Sequence, residues 1–219
     1  MYIRLGSIPI WPSLHTAKLS MPDSMKEKFP NVKCIIDCVE CRVQTASSLF
    51  IHKLFYSDYK SHTTVKCLVG ICPGGGFSFV SSVYPGSISD KDITVKSGIL
   101  NPALWRPKEG LMADRGFTIR DYTDTLRVEL FIPAFLQGRD QLPEPEIILS
   151  QQIATERIHV ERMIQRLKTY HILSGRAIPM NMMGSLNQIV AVCALLANFQ
   201  DPIIAPPKKD LQEISSAQN

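Results

Sequence analysis

Val32-Lys33-Cys34-Ile35-Ile36-Asp37-Cys38-Val39 is a nearly unbroken apolar run around one aspartate. A run of this kind is typical of a central strand that is buried on both faces of a sheet. A second short apolar stretch, Leu111 to Phe117, predicts another strand and carries Asp114. Burying a carboxylate is costly unless the group is paired or binds a cation. Each of the two aspartates therefore needs a physical explanation.

The chain between and after these stretches predicts a sheet with helices packed on it. Alternating apolar residues in 63–72 and 77–84, joined by a glycine-rich turn, indicate a hairpin. That turn is not a phosphate-binding loop, because no Lys-Ser or Lys-Thr and no helix follow it. Helices are predicted over 89–99 and 119–126, and a fifth strand over 129–135. The alternation favours an α/β fold with a mixed sheet.

The remaining segments are predicted as loops, two long helices and terminal segments. Residues 42–61 and 137–150 are polar or proline-containing and predict loops. Helices are predicted over 151–168 and 185–199. Residues 1–30 are interpreted as a lead-in to a domain over 31–199, and 200–219 as a disordered tail.

The composition excludes several classes of protein. The chain has 219 residues, 45% hydrophobic and 20% charged, which excludes a disordered or fibrous protein. The longest apolar run, residues 189–199, is about half of what a membrane-spanning helix needs, so we expect a core helix and no membrane partner. No secretory signal is recognised, and the six cysteines are expected to be free thiols. The net charge of +4 only weakly favours binding to nucleic acid.

The two aspartates suggest metal chemistry. Oxygen-rich carboxylate clusters are the ligands that Mg²⁺ and Mn²⁺ prefer. Either aspartate alone is equally consistent with a structural group whose hydrogen bonds are satisfied.

The predicted helix over 151–168 supplies a third acid. Its core-facing stripe consists of Ile153, Val160, Ile164 and Leu167. Arg157, Glu161 and Lys168 share an adjacent sector, because spacings of four and seven residues return to nearly the same azimuth. Taken alone, this sector is more typical of a ladder of salt bridges on a solvated face.

Five motifs follow one another along the chain: Ile35-Ile36-Asp37, Ser57-Asp58-Tyr59-Lys60, Ser89-Asp90-Lys91-Asp92-Ile93-Thr94, Met112-Ala113-Asp114-Arg115-Gly116-Phe117 and Arg157-Ile158-His159-Val160-Glu161-Arg162. Together and in this order they resemble the DDE transposase domain of the Harbinger-type and related superfamily, including domesticated animal copies and copies that carry a THAP finger. The resemblance covers roughly residues 10–199.

The resemblance implies an RNase H-like fold with three antiparallel strands followed by two parallel ones. It implies Asp37, Asp114 and Glu161 as catalytic residues and as ligands of two Mg²⁺ or Mn²⁺ ions, with Asp37 bridging them. Glu156 is the rival for the third acid, but the family's spacing of Arg, Glu and Lys favours Glu161. The tyrosine of related enzymes is Ala154 here, which leaves a substrate contact at that position in question.

The implied activity is a divalent-metal-dependent DNA endonuclease and strand-transfer reaction by two-metal phosphoryl transfer. Arg157 and Lys168 would contact DNA phosphates, and DNA is the expected partner, with a homo-oligomer and nuclear localisation also expected. The family's N-terminal DNA-binding module is not recognised, so we expect either a truncated gene model or weak recognition of transposon ends.

Other interpretations remain open. One is a domesticated non-enzymatic nuclear protein that uses the fold to bind DNA or a partner. Another is a zinc module built on Cys34, Cys38 and Cys41, which we disfavour because no fourth ligand has suitable spacing. Asp90 and Asp92 are interpreted as helix-capping residues rather than metal ligands.

Overall fold

The computed structural model of the chain describes residues 8–45, 47–136, 138–174 and 176–203. A six-stranded mixed sheet forms the centre of this part of the chain, and helices cover it. The strands are β1 (Val32–Arg42), β2 (Tyr56–Ser57), β3 (His62–Ile71), β4 (Phe77–Pro85), β5 (Gly110–Met112) and β6 (Glu129–Phe131). The α-helices are α1 (Leu14–Leu19), α2 (Asp23–Lys28), α3 (Leu49–Phe55), α4 (Asp90–Lys96), α5 (Arg120–Thr125), α6 (Glu144–Leu167) and α7 (Leu186–Ala197).

The strand order confirms the RNase H-like sheet. β1 lies at the centre, antiparallel to β3 on one side and parallel to β5 on the other. β4 continues the antiparallel part by pairing with β3, and β6 continues the parallel part by pairing with β5. The short β2 pairs only with the start of β3. Three antiparallel strands are thus followed in sequence by two parallel ones, as expected.

The alternation of side chains along β1 divides the core between the two faces of the sheet. Ile35 and Val39 belong to a buried cluster with residues of α6 and α7. Cys34 and Ile36 belong to a second cluster with Ile93 of α4. Successive side chains of a strand point to opposite faces, so one strand contributes to both clusters. This double burial explains why the sequence of β1 is almost continuously apolar.

The segment before β1 packs on both faces. Met21, Met25 and Phe29 are almost fully buried and join the cluster under α6 and α7. Trp11 packs against Trp105 on the other face, with ring centroids 5.2 Å apart. Residues 11–29 therefore contribute to the same core as the sheet.

Several predicted boundaries are wrong. The predicted loop over 42–61 contains α3 and β2, and the predicted loop over 137–150 contains the start of α6. Pro143 is the N-cap of α6 and Pro145 lies in its first turn, where no backbone N–H donor is needed. β5 and β6 end earlier than predicted, at Met112 and Phe131. Of the predicted disordered tail, residues 204–219 lie outside the described residues.

The apolar stretch Met180–Ala197 is long enough, by length and composition, to cross a membrane. Only Leu186–Ala197 of it is α-helix. A helix of this length rises about 18 Å, which is shorter than the ~30 Å hydrocarbon core of a bilayer. Val190, Ala194 and Ala197 are buried in the cluster under the sheet, so α7 packs as a core helix.

Candidate active site

Asp37 and Asp114 lie side by side at one edge of the sheet. β1 and β5 are parallel, and Ile35 pairs with Met112. Both aspartates come two residues after this pair, so the regular register brings them to adjacent positions. Asp114 itself lies just beyond β5, with 53% of its side chain exposed. The prediction that Asp114 occupies a buried strand position is therefore wrong, because Ala113, whose N–H donates to the Phe131 carbonyl, is the last residue bonded to the sheet before the chain turns away.

Each carboxylate is held by the backbone of the next residue. The Cys38 N–H donates to Oδ1 of Asp37 at 2.7 Å, and the Arg115 N–H donates to Oδ1 of Asp114 at 2.7 Å. Charge-assisted bonds of this length orient an acceptor well. These two bonds use Oδ1 of each carboxylate, and no backbone N–H among the described residues donates to Oδ2 of either group.

Arg157 bridges the two aspartates. Its guanidinium Nη2 lies 3.5 Å from Oδ2 of Asp37, and Nη1 lies 3.2 Å from Oδ1 of Asp114. Arg157 is buried in α6, on the face that packs against the sheet. A planar guanidinium group presents two parallel donors, so it can contact two carboxylates at once.

Glu161 and Lys168 approach the same site from α6. Glu161 lies one turn after Arg157 and is exposed, and Lys168 is the C-cap of the helix. Both side chains line one cleft with the two aspartates. Glu156 points elsewhere: its carboxylate is buried, 3.9 Å from Lys28. The geometry thus separates the two candidates for the third acid and brings Glu161, not Glu156, to the cleft.

The cleft has a volume of about 600 Å³ and polar walls. Residues from β1, from the turn after β2, from the turn before α4, from the Asp114 loop and from α6 form its lining. The ionisable residues among them are Asp37, Glu40, Asp58, Lys60, Lys66, Asp90, Asp114, Arg157, Glu161 and Lys168. All five residues that the sequence assigns to catalysis or phosphate contact therefore share a single cleft.

Burial raises the pKa of Asp37 above its ordinary value. The positive charge of Arg157 and the hydrogen bond from the Cys38 N–H act in the opposite direction. The negative charges of Asp114 and Asp90 add to the rise. Several carboxylates crowded beside one partly dehydrated group favour binding of a further cation, because a cation would relieve their mutual repulsion.

The donor chemistry of this site suits Mg²⁺ or Mn²⁺, since all its acidic ligands are carboxylate oxygens. Among the described residues, however, no group of three or more His, Cys, Asp or Glu side chains comes close enough to hold a metal ion. Arg157 contacts both aspartates, and Glu161 lines the same cleft.

A model of the DDE superfamily endonuclease family matches residues 36–198. The chain belongs to this family. The match contains Asp37, Asp114 and Glu161 and ends within one residue of α7. No curated protein matches the chain. For a DDE superfamily endonuclease, a nuclease fold, a DNA substrate and the use of divalent metals are general expectations of the family.

A network beside the aspartates of this DDE superfamily endonuclease was missed from sequence. The Lys66 ammonium donates to Oδ1 of Asp90 at 3.2 Å and to the Ile88 carbonyl at 3.0 Å, and it lies 3.7 Å from Glu40. Burial acts to lower the pKa of Lys66, but the nearby carboxylates outweigh it and the pKa is raised. The only sequence signal was a lysine within an otherwise apolar and threonine-rich strand.

Asp90 belongs to this network rather than to a helix cap. Ser89 is the N-cap of α4, where its Oγ accepts from the Asp92 N–H and donates to the Asp92 carboxylate. The capping interpretation is therefore confirmed for Asp92 and wrong for Asp90. Asp90 also lies against the Asp114 loop, since a Cβ atom at Gly116 would meet its Oδ2 at 2.7 Å.

The six cysteines of the chain are free thiols. Burial raises the pKa of Cys34 to about 12 and that of Cys41 to about 11, and raises the pKa of Cys38 as well. Zinc binds the thiolate form, which these shifts disfavour. Cys34 and Cys41 are buried along β1, whereas Cys38 is half-buried and lines the cleft.

Proposed function

We propose that this chain is a transposase-derived, divalent-metal-dependent DNA endonuclease and strand-transfer domain. The observation that carries the proposal is the position of Asp37 beside Asp114, two residues after the last register pair of β1 and β5 and in contact with the same Arg157 guanidinium, in a polar cleft that Glu161 also lines. Family membership supports the reaction class.

Asp37, Asp114 and Glu161 are the residues that would hold two Mg²⁺ or Mn²⁺ ions. Bound metal would supply activation of the attacking oxygen and stabilisation of the leaving oxygen in an in-line phosphoryl transfer. The chain itself orients the aspartates through the Cys38 and Arg115 N–H groups. Lys168 and Arg157 place positive charge in the cleft, where a scissile phosphate and the developing negative charge would lie.

The test is nicking of supercoiled plasmid by the full chain with Mg²⁺ or Mn²⁺. Asp114→Asn and Glu161→Gln should each lower the nicking rate by about 10²–10³-fold, because a lost ligand removes much of the electrostatic stabilisation of the transition state. Glu156→Gln is the matched control for the third acid and should keep most of the activity. Full activity of Asp114→Asn, with a wild-type chain that nicks, would overturn the assignment.

A second candidate is a non-enzymatic protein that binds DNA or a partner through the same fold. Among the described residues, no three potential metal ligands lie close enough together to hold an ion, which favours this candidate. Thermal unfolding with increasing Mn²⁺ separates the two proposals. A ligand at a hundredfold excess over its Kd stabilises the folded state by about 2.7 kcal/mol. Mn²⁺ should therefore raise the Tm of a chain that binds metal and leave the Tm of a non-enzymatic chain without a metal site unchanged.

The branch and the cellular setting remain part of the proposal. The motifs around Asp37, Asp90, Asp114 and Glu161 support a Harbinger-type or THAP-associated origin. Action on chromosomal DNA would require nuclear localisation, and strand transfer at two DNA ends would suit a homo-oligomer. Size-exclusion chromatography with light scattering, with and without DNA, tests the oligomer directly.

A further inference from the structure

Arg157 occupies the space between the carboxylates that the proposed function assigns to metal. We propose that Arg157 is the resident counter-cation of Asp37 and Asp114, and that a divalent cation binds by displacing its guanidinium group from them. The inference rests on the proposed function and deepens it by specifying how the site changes from a metal-free to a metal-bound state.

The contacts of Arg157 are poor for so buried a guanidinium group. Its distances of 3.5 and 3.2 Å to the two carboxylates exceed the roughly 2.7–2.9 Å of strong charge-assisted hydrogen bonds. Arg139 shows the contrast on the surface, where its two Nη atoms contact Glu146 at 2.9 and 2.8 Å. Arg157 therefore contacts both aspartates at once, but at distances too long for a strong hydrogen bond to either.

The Nε atom of Arg157 also lacks a good hydrogen bond. It is buried and finds no hydrogen-bond acceptor among the described residues. A buried donor without a partner carries a free-energy cost. The guanidinium is thus held between the aspartates by charge, while its hydrogen bonds there are incomplete.

A divalent cation is the stronger ligand for the same oxygens. It carries twice the charge of the guanidinium, and Mg²⁺ is small enough to contact carboxylate oxygens at about 2.0–2.1 Å. Oδ2 of Asp37 and Oδ1 of Asp114 are the oxygens that now face Arg157. Metal and guanidinium cannot both take these positions, so their binding is mutually exclusive at the bridge.

Displacement would leave Arg157 in the cleft with a free positive group. It lies one turn of α6 before Glu161, and Lys168 lies further along the same side of the helix. A released guanidinium there can contact a DNA phosphate, for which its planar donors are well suited. Metal binding would thereby prepare both the carboxylates and the phosphate contact.

The first test measures Mn²⁺ affinity by isothermal titration calorimetry for the wild-type chain, Arg157→Gln and Lys168→Gln. Lys168→Gln removes the same charge from the same cleft. Among the described residues, Arg157 and not Lys168 forms the ion pairs with the two aspartates. Arg157→Gln should bind Mn²⁺ about tenfold more tightly than Lys168→Gln, which corresponds to about 1.4 kcal/mol.

The outcomes separate the exchange from the metal site. If the wild-type chain binds Mn²⁺ but Arg157→Gln binds it no more tightly than Lys168→Gln does, the proposed exchange is wrong and the metal site itself is still supported. A wild-type chain that does not bind Mn²⁺ would overturn both. Circular dichroism and cooperative thermal unfolding establish that each variant is folded.

A second measurement needs no variant. In a ¹H–¹⁵N titration of the wild-type chain with Mg²⁺, the Cys38 and Arg115 amides report metal arrival, because each donates to one of the two carboxylates. The Nε–H signal of Arg157 reports displacement. All three signals should shift with one midpoint. Shifts of the two amides without any change at Arg157 would contradict the exchange.

Discussion

Asp37 is a partly buried carboxylate that lies near the negative charges of Asp114 and Asp90. Because its pKa is raised in the folded state, mainly by burial, the folded chain binds this proton more tightly than the unfolded chain does. Asp37 therefore stabilises the fold fully below its unfolded pKa, and this contribution is lost as the pH rises through the folded pKa. Burial of the ionised Asp37 carboxylate therefore lowers the free energy of unfolding at higher pH.

Replacing Asp37 by asparagine removes that charge and keeps the shape. We expect Asp37→Asn to have a higher Tm than the wild-type chain at pH 7 without metal, since the ionised group no longer has to be buried. The difference should shrink as the pH falls toward the ordinary Asp pKa of about 4, where both side chains are neutral. Calorimetry resolves it, because 1 kcal/mol corresponds to roughly 2–4 °C for a chain of this size.

Asp121→Asn is the control for this experiment, because Asp121 is exposed on α5. Its Tm should follow that of the wild-type chain at every pH. A lower Tm for Asp37→Asn at pH 7 would mean that the ion pair with Arg157 outweighs the cost of burial, contrary to the direction of the pKa shift.

At the scale of elements, the sequence predicts what is periodic and misses what is not. The hairpin of β3 and β4 follows from its alternation, and Arg157, Glu161 and Lys168 reach one cleft because a helix repeats its azimuth regularly. α3 was missed because none of its residues is buried, and Leu49 and Phe50 are 85% and 78% exposed. A helix without a buried face leaves no apolar period to detect.

Local sequence patterns predicted only part of the site. Asp37 and Asp114 stand out as charges in apolar stretches, and parallel pairing aligns them. The contact of Lys66 with Asp90 depends on where α4 packs against β3, which no local pattern encodes. The bridge from Arg157 to the aspartates likewise depends on how deeply α6 packs against the sheet.

The register of β5 against β1 can be tested at Gly110. A Cβ atom there would lie 3.0 Å from backbone atoms of Val32 and 2.9 Å from the Phe131 ring. Gly110→Ala should lower the free energy of unfolding by about 1–3 kcal/mol, as overpacking does. It should also weaken Mn²⁺ binding, because separating β5 from β1 moves Asp114 away from Asp37. Urea denaturation and calorimetry measure the two effects.

Gly184→Ala is the matched control, because a Cβ atom there would meet nothing within 4 Å. Its stability and Mn²⁺ affinity should equal those of the wild-type chain. Unchanged stability of Gly110→Ala would contradict the tight packing of β5, and unchanged Mn²⁺ affinity despite lost stability would separate the strand register from the site.

At the scale of the whole molecule, the sheet depends on residues that precede it. The family match begins at residue 36, yet Met21, Met25 and Phe29 are almost fully buried beneath α6 and α7. On the opposite face, the Trp11 indole donates to the Leu104 carbonyl at 2.8 Å and packs edge-on against Trp105. The segment thus secures both faces of the sheet, including the face on which α6 carries Arg157.

A chain of residues 31–203 should therefore fail to fold, whereas residues 8–203 should unfold cooperatively. Loss of each fully buried Met or Phe side chain costs about 2–5 kcal/mol, and three such losses consume most or all of a total stability of about 5–15 kcal/mol. Thermal unfolding by circular dichroism and the dispersion of ¹H–¹⁵N spectra compare the two chains. A cooperative transition of the shorter chain near the Tm of the longer one would show that the sheet and its helices form a core without this segment, and that residues 8–30 only cover it.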